Sequence, residues 1–259
     1  MDHTGIEGTG MAETRQGPHD GISGWQAKLV ALWTMVADHV GLIGIGASAT
    51  GVMGATYLAL RIVGRVSYPL FALSLVEGFR HTHSKAEHVG LLALFAAISE
   101  FPFDAAVTSA CGLAWWSMQS VMLTLTLGGI AICASDWLRA RLTGWKGWAG
   151  AVAVSAACAA ASGLLGADYG ACGVASVMAA YAVRATAGDG ATGRGCEALA
   201  ACLPLLALGP IELASLLAVP VWMAFDGTRG GHGTQAEKML FYWFYPAHLA
   251  LLALLAGTF

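Results

Sequence analysis

The sequence has few charged residues, and this shortage excludes most classes of soluble protein. Only 11% of its 259 residues are charged, whereas 57% are hydrophobic and 34 are glycine; soluble domains carry about 25% charged residues. The 13 lysines and arginines are outnumbered by 16 acids and form no basic surface, so no nucleic-acid partner is expected. Abundant small residues suit close packing of helices in lipid. We therefore expect an integral membrane protein whose partner is the lipid bilayer.

The cysteines also lack the spacing of a metal site or a disulfide framework. There are six of them, with no Cys-x-x-Cys pair, and most lie in apolar segments. In such places cysteine behaves as a small hydrophobic residue. We expect neither bound metal nor disulfides.

The N-terminal stretch lacks both the basic start and the apolar run of a signal peptide. Residues 1–27 are glycine-rich, polar and without periodicity. Such a composition favours disorder, so a disordered cytoplasmic tail is expected over residues 1–27. One integral membrane domain is expected over residues 28–259.

Apolar runs predict an all-α polytopic membrane protein with about nine transmembrane helices. A span needs about 20 apolar residues, and the sequence shows no internal repeat. The seventh and eighth spans are short and are separated by Gly209-Pro210, so a re-entrant pair is the alternative there. Residues 48–60 are predicted to be an external loop. The predicted spans are 28–47, 62–80, 88–105, 116–134, 148–166, 169–185, 196–210, 211–225 and 239–257.

Lysine and arginine positions predict the orientation of these spans. If the nine spans alternate, 11 of the 13 basic residues fall on one side. The positive-inside rule assigns that side to the cytoplasm, which puts the N-terminus in and the C-terminus out, in a bacterial inner (cytoplasmic) membrane. The 11 residues are Arg15, Lys28, Arg80, Lys85, Arg139, Arg141, Lys146, Arg184, Arg194, Arg229 and Lys238.

The two remaining arginines lie at the outer end of the second span. Arg61 and Arg65 are four residues apart and therefore share one helix face. A snorkelling role at the outer interface explains Arg61 as well as any other role does. Arg65 lies deeper, and a buried ion pair or a substrate contact is expected there. Its candidate partners are Asp38, Glu100, Asp104 and Asp168.

Two histidines are expected near the middle of the membrane. His39 follows Lys28 by 11 residues, which places its imidazole roughly 16 Å into a hydrocarbon layer of ~30 Å. His248 follows Lys238 by ten residues, so the two rings are expected at similar depth. Ionisable groups at that depth usually face the bundle interior and serve a function. The alternative is a histidine that only joins helices.

Several acids add to this polar interior. Their side chains are candidates both for contacting a substrate and for capping a helix. Asp168 is a candidate N-cap of the sixth span. These acids are Glu77, Glu100, Asp104 and Asp168.

Five blocks of the sequence, taken in order, resemble the TraX family of conjugation-system membrane proteins. They are ADHVG, LRIVGRVSYPLFALSLVEGFRHT, AISEFPFD, DYGACGV and KMLFYWFYPAHL. The spacing Lys28-x10-His39 is also similar to the basic-x10-His signature of the broader acyltransferase-3-like transmembrane acyltransferases. The resemblance implies acetylation of the N-terminus of a pilin subunit, with acetyl-coenzyme A as donor.

The polar residues fit that chemistry. Acetyl transfer to an amine needs a base, for which a neutral histidine is the usual group. His39 is the candidate base, and Asp38 is expected to orient or polarise its ring. Two routes are open: direct transfer of the acetyl group to the amine, and a covalent acetyl-histidine intermediate. Tyr245, His248 and Arg65 are candidate donors to the oxyanion. The cations expected to hold the coenzyme A phosphates are Lys28, Arg80, Lys85, Arg139, Arg141 and Lys238, with Lys146 also in reach.

Two other functions remain open at this point. A proton-coupled transporter would also place Asp, Glu and His inside the membrane, although matching halves or inverted repeats are not found. A non-enzymatic pilin-maturation or assembly factor would need no such polar interior. Binding of acetyl-coenzyme A distinguishes the acetyltransferase from both.

Overall fold

The computed structural model describes residues 21–82 and 84–258. Within these ranges the chain forms nine helical segments and no β-strand. Two isolated backbone bridges join Ile22 to Phe225 and Gln119 to Ala167. The segments are α1 (Gly24–Ile45), α2 (Gly51–His81), α3 (Lys85–Thr108), α4 (Val121–Arg141), α5 (Trp145–Leu164), α6 (Gly170–Arg184), α7 (Ala191–Leu208), α8 (Pro210–Met223) and α9 (Gln235–Ala256).

The all-helical, multi-pass prediction is confirmed for the described residues. Seven of the segments are long and apolar enough to cross a membrane, and α6 and α8 are shorter apolar helices. Most of the predicted tail lies outside the described residues. Helix α1 begins at Gly24, inside the range predicted as tail, and Ser23 caps it in a reciprocal bond pair with Gln26.

The prediction of an external loop over residues 48–60 is wrong. Residues 51–64 are helical and continue into 67–81. At about 1.5 Å per residue a straight helix of this length would exceed the ~30 Å hydrocarbon layer. The segment is interrupted at Arg65 and Val66, whose N–H groups bond carbonyls three residues back. This tighter turn carries Arg65 into the interior, where it is 8% exposed.

The second half of α2 is the central element of the bundle. It packs against α1, α6 and α7, and its side chains Tyr68, Leu70, Leu73 and Val76 are almost fully buried. A continuous core therefore surrounds α2, and any polar group near it needs a partner inside the protein.

Helices α7 and α8 form a hairpin around Gly209. Its φ of 139° is a conformation that favours glycine. The flanking stretches, Leu203–Leu208 and Pro210–Leu217, are 3₁₀-helical. Glu212, just beyond the bend, bonds Arg65, so the hairpin reaches at least to the depth of Arg65.

Contacts between helix ends show that successive segments alternate in direction. At one end, the Gly24 N–H donates to the Thr228 carbonyl, and the start of α3 meets the end of α4 through an ion pair of Lys85 with Asp136 at 2.5 Å. At the other end, the Gln119 N–H donates to the Gly166 carbonyl. We call the first end, which holds the Lys and Arg residues of the described loops, the basic end. Its assignment to the cytoplasm remains a prediction from the positive-inside rule.

Cysteine labelling will test that orientation. Cys111 lies in the loop after α3, at the end opposite the basic end, whereas Cys196 lies in α7 near the basic end; both are exposed. An impermeant maleimide on intact cells should label a variant that keeps only Cys111 and spare one that keeps only Cys196. Permeabilised cells, in which both variants react, are the control. Labelling of Cys196 alone in intact cells would reverse the assignment.

Candidate functional site

The two histidines predicted at similar depth are in direct contact. His39 Nδ1 lies 2.9 Å from His248 Nε2, and the ring centroids are 5.0 Å apart. Both residues are buried, with 8% and 9% exposure. His39 ends the α-helical part of α1, and a π-helical stretch, Val40–Ile45, follows it. Such irregular turns occur frequently at functional sites.

The hydrogen bonds fix where the protons of this pair lie. His248 Nδ1 is 2.9 Å from the Phe244 carbonyl oxygen, and because a carbonyl only accepts, Nδ1 must carry the proton. In a neutral His248 the Nε2 atom is then an acceptor, so His39 Nδ1 donates to it. His39 Nε2 is left with its lone pair, and no described residue is bonded to it. The arrangement therefore holds one imidazole nitrogen ready to accept a proton.

Tyr245 lies against both histidines. Its ring packs edge-on to His39 and His248, with centroid distances of 6.4 and 5.6 Å. Its hydroxyl is buried near the backbone N–H of Val121, the first residue of α4. No described residue accepts the hydroxyl proton. The site thus contains a buried donor without an acceptor.

Asp38 turns away from His39 and binds the two arginines of α2. Its carboxylate lies 2.5 Å from Arg61 Nη1 and 2.5 Å from Arg65 Nη2. The expected orienting contact with His39 is not among the hydrogen bonds of the described residues, because neighbouring helical residues point about 100° apart. Gly64 makes room for this pairing, since a Cβ there would lie 2.2 Å from the Asp38 carboxylate. Arg61 binds Asp38 instead of only snorkelling to the interface.

Arg65 has a second partner that the sequence analysis missed. Its Nη1 lies 2.9 Å from Glu212, which is 3% exposed, and its guanidinium lies over the Tyr169 ring at 5.8 Å. The only sequence signal for Glu212 was a single acid in the apolar run after Gly209-Pro210. We call the four residues Asp38, Arg61, Arg65 and Glu212 the ion-pair quartet.

Three predicted acids bond the backbone where helices meet at the end opposite the basic end. Glu100 accepts from the N–H and hydroxyl of Ser120 at 3.1 and 2.7 Å, and Asp104 accepts from the Trp116 N–H at 3.1 Å. The N-cap prediction for Asp168 is wrong by one residue. Tyr169 is the cap, at a left-handed φ of 62°, and Asp168 accepts its N–H at 3.0 Å.

The Asp168 carboxyl has an unusual environment. Burial raises the pKa of Asp168 to about 6, against the opposing effect of nearby Arg65. Its second carboxylate oxygen, Oδ2, makes no hydrogen bond with a described residue. Near neutral pH this carboxylate is therefore mostly ionised and available.

The predicted phosphate-binding cations all lie at the basic end, but several are already paired. Arg80 lies 3.1 Å from Glu77 and 3.7 Å from Asp189, and Lys85 binds Asp136. Arg184, which the prediction did not include, also binds Glu77, at 3.4 Å. The side chains of Arg139 and Arg141 lie over tryptophan rings, at 4.0 and 4.5 Å.

Lys28 and Lys238 belong to a different group. Lys28 lies over the Phe241 ring at 5.5 Å and within electrostatic range of Arg229 and Lys238. His88 lies within range of Lys28 and Lys238. None of these four forms an ion pair with an acid in the described part of the chain. We call Lys28, His88, Arg229 and Lys238 the basic cluster. Lys28 lies on α1, which also carries His39, and Lys238 lies on α9, which also carries His248.

Comparison of the sequence with known proteins identifies its family. The family described as "TraX protein" matches residues 23–256. The chain is also similar to "Probable fimbrial assembly protein FimC, serogroup H1" of Dichelobacter nodosus, with 28% identity over 247 residues, covering 89% of this chain and 94% of the relative. No solved structure matches. The family match spans nearly the whole described chain, and the protein belongs to the TraX family.

Proposed function

We propose that this protein is a membrane-embedded acetyltransferase that modifies the N-terminus of a pilin subunit with acetyl-coenzyme A. The observation that carries the proposal is the buried His39–His248 pair, in which one nitrogen is free to take a proton. Family membership and the fimbrial-assembly name of the relative support a role in pilus maturation. The spacing Lys28-x10-His39 supports placement among the acyltransferase-3-like enzymes.

The proposed reaction uses His39 as a general base. Nε2 of His39 takes a proton from the acceptor ammonium, whose ordinary pKa is about 8, and the free amine attacks the thioester carbonyl carbon. A C–N bond forms and the C–S bond breaks. The attacking nitrogen loses a second proton as the amide forms. Of the two protons released from the ammonium, His39 delivers one to the leaving thiolate of coenzyme A and the other passes to water. While His39 is charged, its Nδ1–H bond to His248 becomes charge-assisted and stronger.

Tyr245 is the best candidate donor to the oxyanion. Arg65 is engaged by Asp38 and Glu212, and the two nitrogens of His248 are bonded to His39 and Phe244. The ring of Tyr245 packs against the histidines, and its O–H has no partner among the described residues. A buried donor directed at developing charge is worth more than one in water. We therefore assign the oxyanion contact to Tyr245.

The basic cluster is the proposed site for the donor's phosphates. Lys28 precedes His39 by 11 residues on α1, a rise of about 16 Å. Phosphates held at the cluster would leave the pantetheine arm to reach inward along α1 and α9. Arg80 and Lys85 are less suitable than expected because acids already neutralise them.

Removing two charges from the basic cluster should weaken donor binding. We expect Lys28→Gln with Lys238→Gln to lower the affinity for acetyl-coenzyme A about tenfold at low salt, a change of about 1.4 kcal/mol. The loss should shrink as salt screens the charges. Binding to the purified protein in detergent, at two salt concentrations, is the measurement. The matched control is Arg139→Gln with Arg141→Gln, which removes equal charge at the same end. An equal loss in the control, or none in the cluster variant, would move the donor site elsewhere.

A proton-coupled transporter remains the second candidate. The histidine pair and the ion-pair quartet form a polar region from the bundle interior toward the end opposite the basic end, as proton pathways do. A transporter would have no reason to bind acetyl-coenzyme A. The same binding measurement on the unmodified protein therefore separates the two functions, and it separates both from a non-enzymatic assembly factor.

A further inference from the structure

Two polar groups beside the first turns of α4, one buried and one half-buried, have no role in the mechanism above. Tyr68 is 2% exposed, and its hydroxyl has no hydrogen-bond partner among the described residues. Asp168 keeps one carboxylate oxygen without a bond to a described residue. Leaving a buried polar group such as the Tyr68 hydroxyl unpaired costs roughly 1–3 kcal/mol. Such a group needs an explanation, and a bound ligand would supply one.

The two groups lie together. The Asp168 carbonyl accepts from the Thr124 hydroxyl, and Asp168 and Tyr68 are within electrostatic range of each other. The Tyr68 hydroxyl lies against Gly173, where an added Cβ would be 2.7 Å from the oxygen. The Tyr68 ring stacks on the Tyr169 ring at 4.1 Å. Residues from α2, α4, α6 and the loop before α6 therefore form one small polar site.

Tyr245 links this site to the histidine pair. Tyr245 contacts His39 through its ring and lies within electrostatic range of Asp168. The site is on the side away from the basic cluster, where the acceptor rather than the donor is expected to enter. A free carboxylate oxygen and a phenolic oxygen are acceptors that suit an ammonium group. The positive charge of Arg65 nearby is already balanced by Asp38 and Glu212.

We propose that Asp168 and Tyr68 bind the terminal ammonium of the acceptor chain before it is passed to His39. This inference rests on the proposed acetyl transfer for its place in the reaction, but the binding itself is independent of chemistry. Aromatic rings beside the carboxylate add a favourable surface for a cation. Given the proposed acetyl transfer, the ligand at this site is the free N-terminal amine of a polypeptide that enters from the end opposite the basic end.

The test uses two fluorescent peptides of alanine and leucine, identical except that one has a free N-terminal amine and the other is N-acetylated. Binding to the full chain in detergent is measured near pH 7.5, without donor. The unmodified protein should bind the free amine at least tenfold more tightly. Asp168→Asn should remove this preference. Asp104→Asn is the matched control, because it removes the same charge at the same end and should keep the preference.

Tyr68→Phe separates binding from structure. Its hydroxyl has no partner in the described part of the chain, so the variant should be as thermally stable as the parent or more stable. It should still lose at least threefold in affinity for the free amine. Equal binding of both peptides by the unmodified protein, or a preserved preference in Asp168→Asn, would overturn the proposal. If the preference is found and no acetyl transfer occurs, the proposed function fails and the amine site stands.

Discussion

Replacing His39 with alanine should lower acetyl transfer by a factor of about 10² or more, the contribution of a positioned acid–base group. The ring forms no ion pair with a described residue, and its loss removes the imidazole nitrogen, Nε2, that the hydrogen bonds of the pair leave free. Insertion, monodispersity in detergent and acetyl-coenzyme A binding should all persist, because the basic cluster lies about 16 Å away along α1. Single-turnover transfer of labelled acetyl is the measurement.

Matched variants separate catalysis from packing. His81→Ala removes an exposed histidine at the basic end, which pairs with Glu77 in the described part of the chain, and should keep full activity. His248 is a positioning residue in this account, since it acts by holding the tautomer of His39. His248→Gln should therefore retain more activity than His248→Ala, because an amide oxygen still accepts from His39 Nδ1. Near-normal transfer by His39→Ala would refute the catalytic assignment, and equal activity of the two His248 variants would refute the positioning role.

Arg65→Met should cause the largest loss of stability. Arg65 is 8% exposed and bridges Asp38 to Glu212 across α1, α2 and α8. Removing it leaves a buried carboxylate without its counter-charge, which costs about 3–5 kcal/mol. For a chain of this size that corresponds to a fall in Tm of about 10 °C. Thermal unfolding of the monodisperse protein in detergent measures it.

Arg61→Met is the control for Arg65. Its side chain is 20% exposed and, among the described residues, pairs with Asp38, which keeps Arg65. Its loss should therefore lower Tm by much less. Adding Glu212→Gln to Arg65→Met should recover part of the stability, because the unpaired charge is removed. A Tm for Arg65→Met within about 2 °C of the parent would show that the quartet does not hold these helices together.

Hydropathy and charge spacing were sufficient to predict most of the fold. Each span must hold about 20 apolar residues, so its position is visible locally, and the alternation of Lys- and Arg-bearing loops shows how the spans connect. The similar depth of His39 and His248 was predicted from their spacings of 11 and ten residues behind Lys28 and Lys238, but their direct contact was not. The helix over residues 51–64 was missed because small apolar residues without charge also suit an external loop.

The side-chain partners could not be predicted in the same way. Glu212 lies 147 residues from Arg65 in the chain, and no local pattern connects them. The direction in which Asp38 points depends on the turn of α1 against α2, and on the space at Gly64. The protons of the histidine pair depend on a bond from His248 Nδ1 to the Phe244 carbonyl, one turn earlier in α9, and on the approach of His39 from α1.

The acetyltransferase proposal is tested most directly with the purified protein in a single turnover. The measurement is transfer of labelled acetyl from acetyl-coenzyme A to a peptide carrying a pilin N-terminus. We expect a labelled N-acetyl peptide with the unmodified protein, and a transfer rate lower by a factor of about 10² or more with His39→Ala. An unmodified protein that is folded and binds acetyl-coenzyme A but forms no labelled peptide, or a His39→Ala protein as fast as its parent, would contradict the proposal.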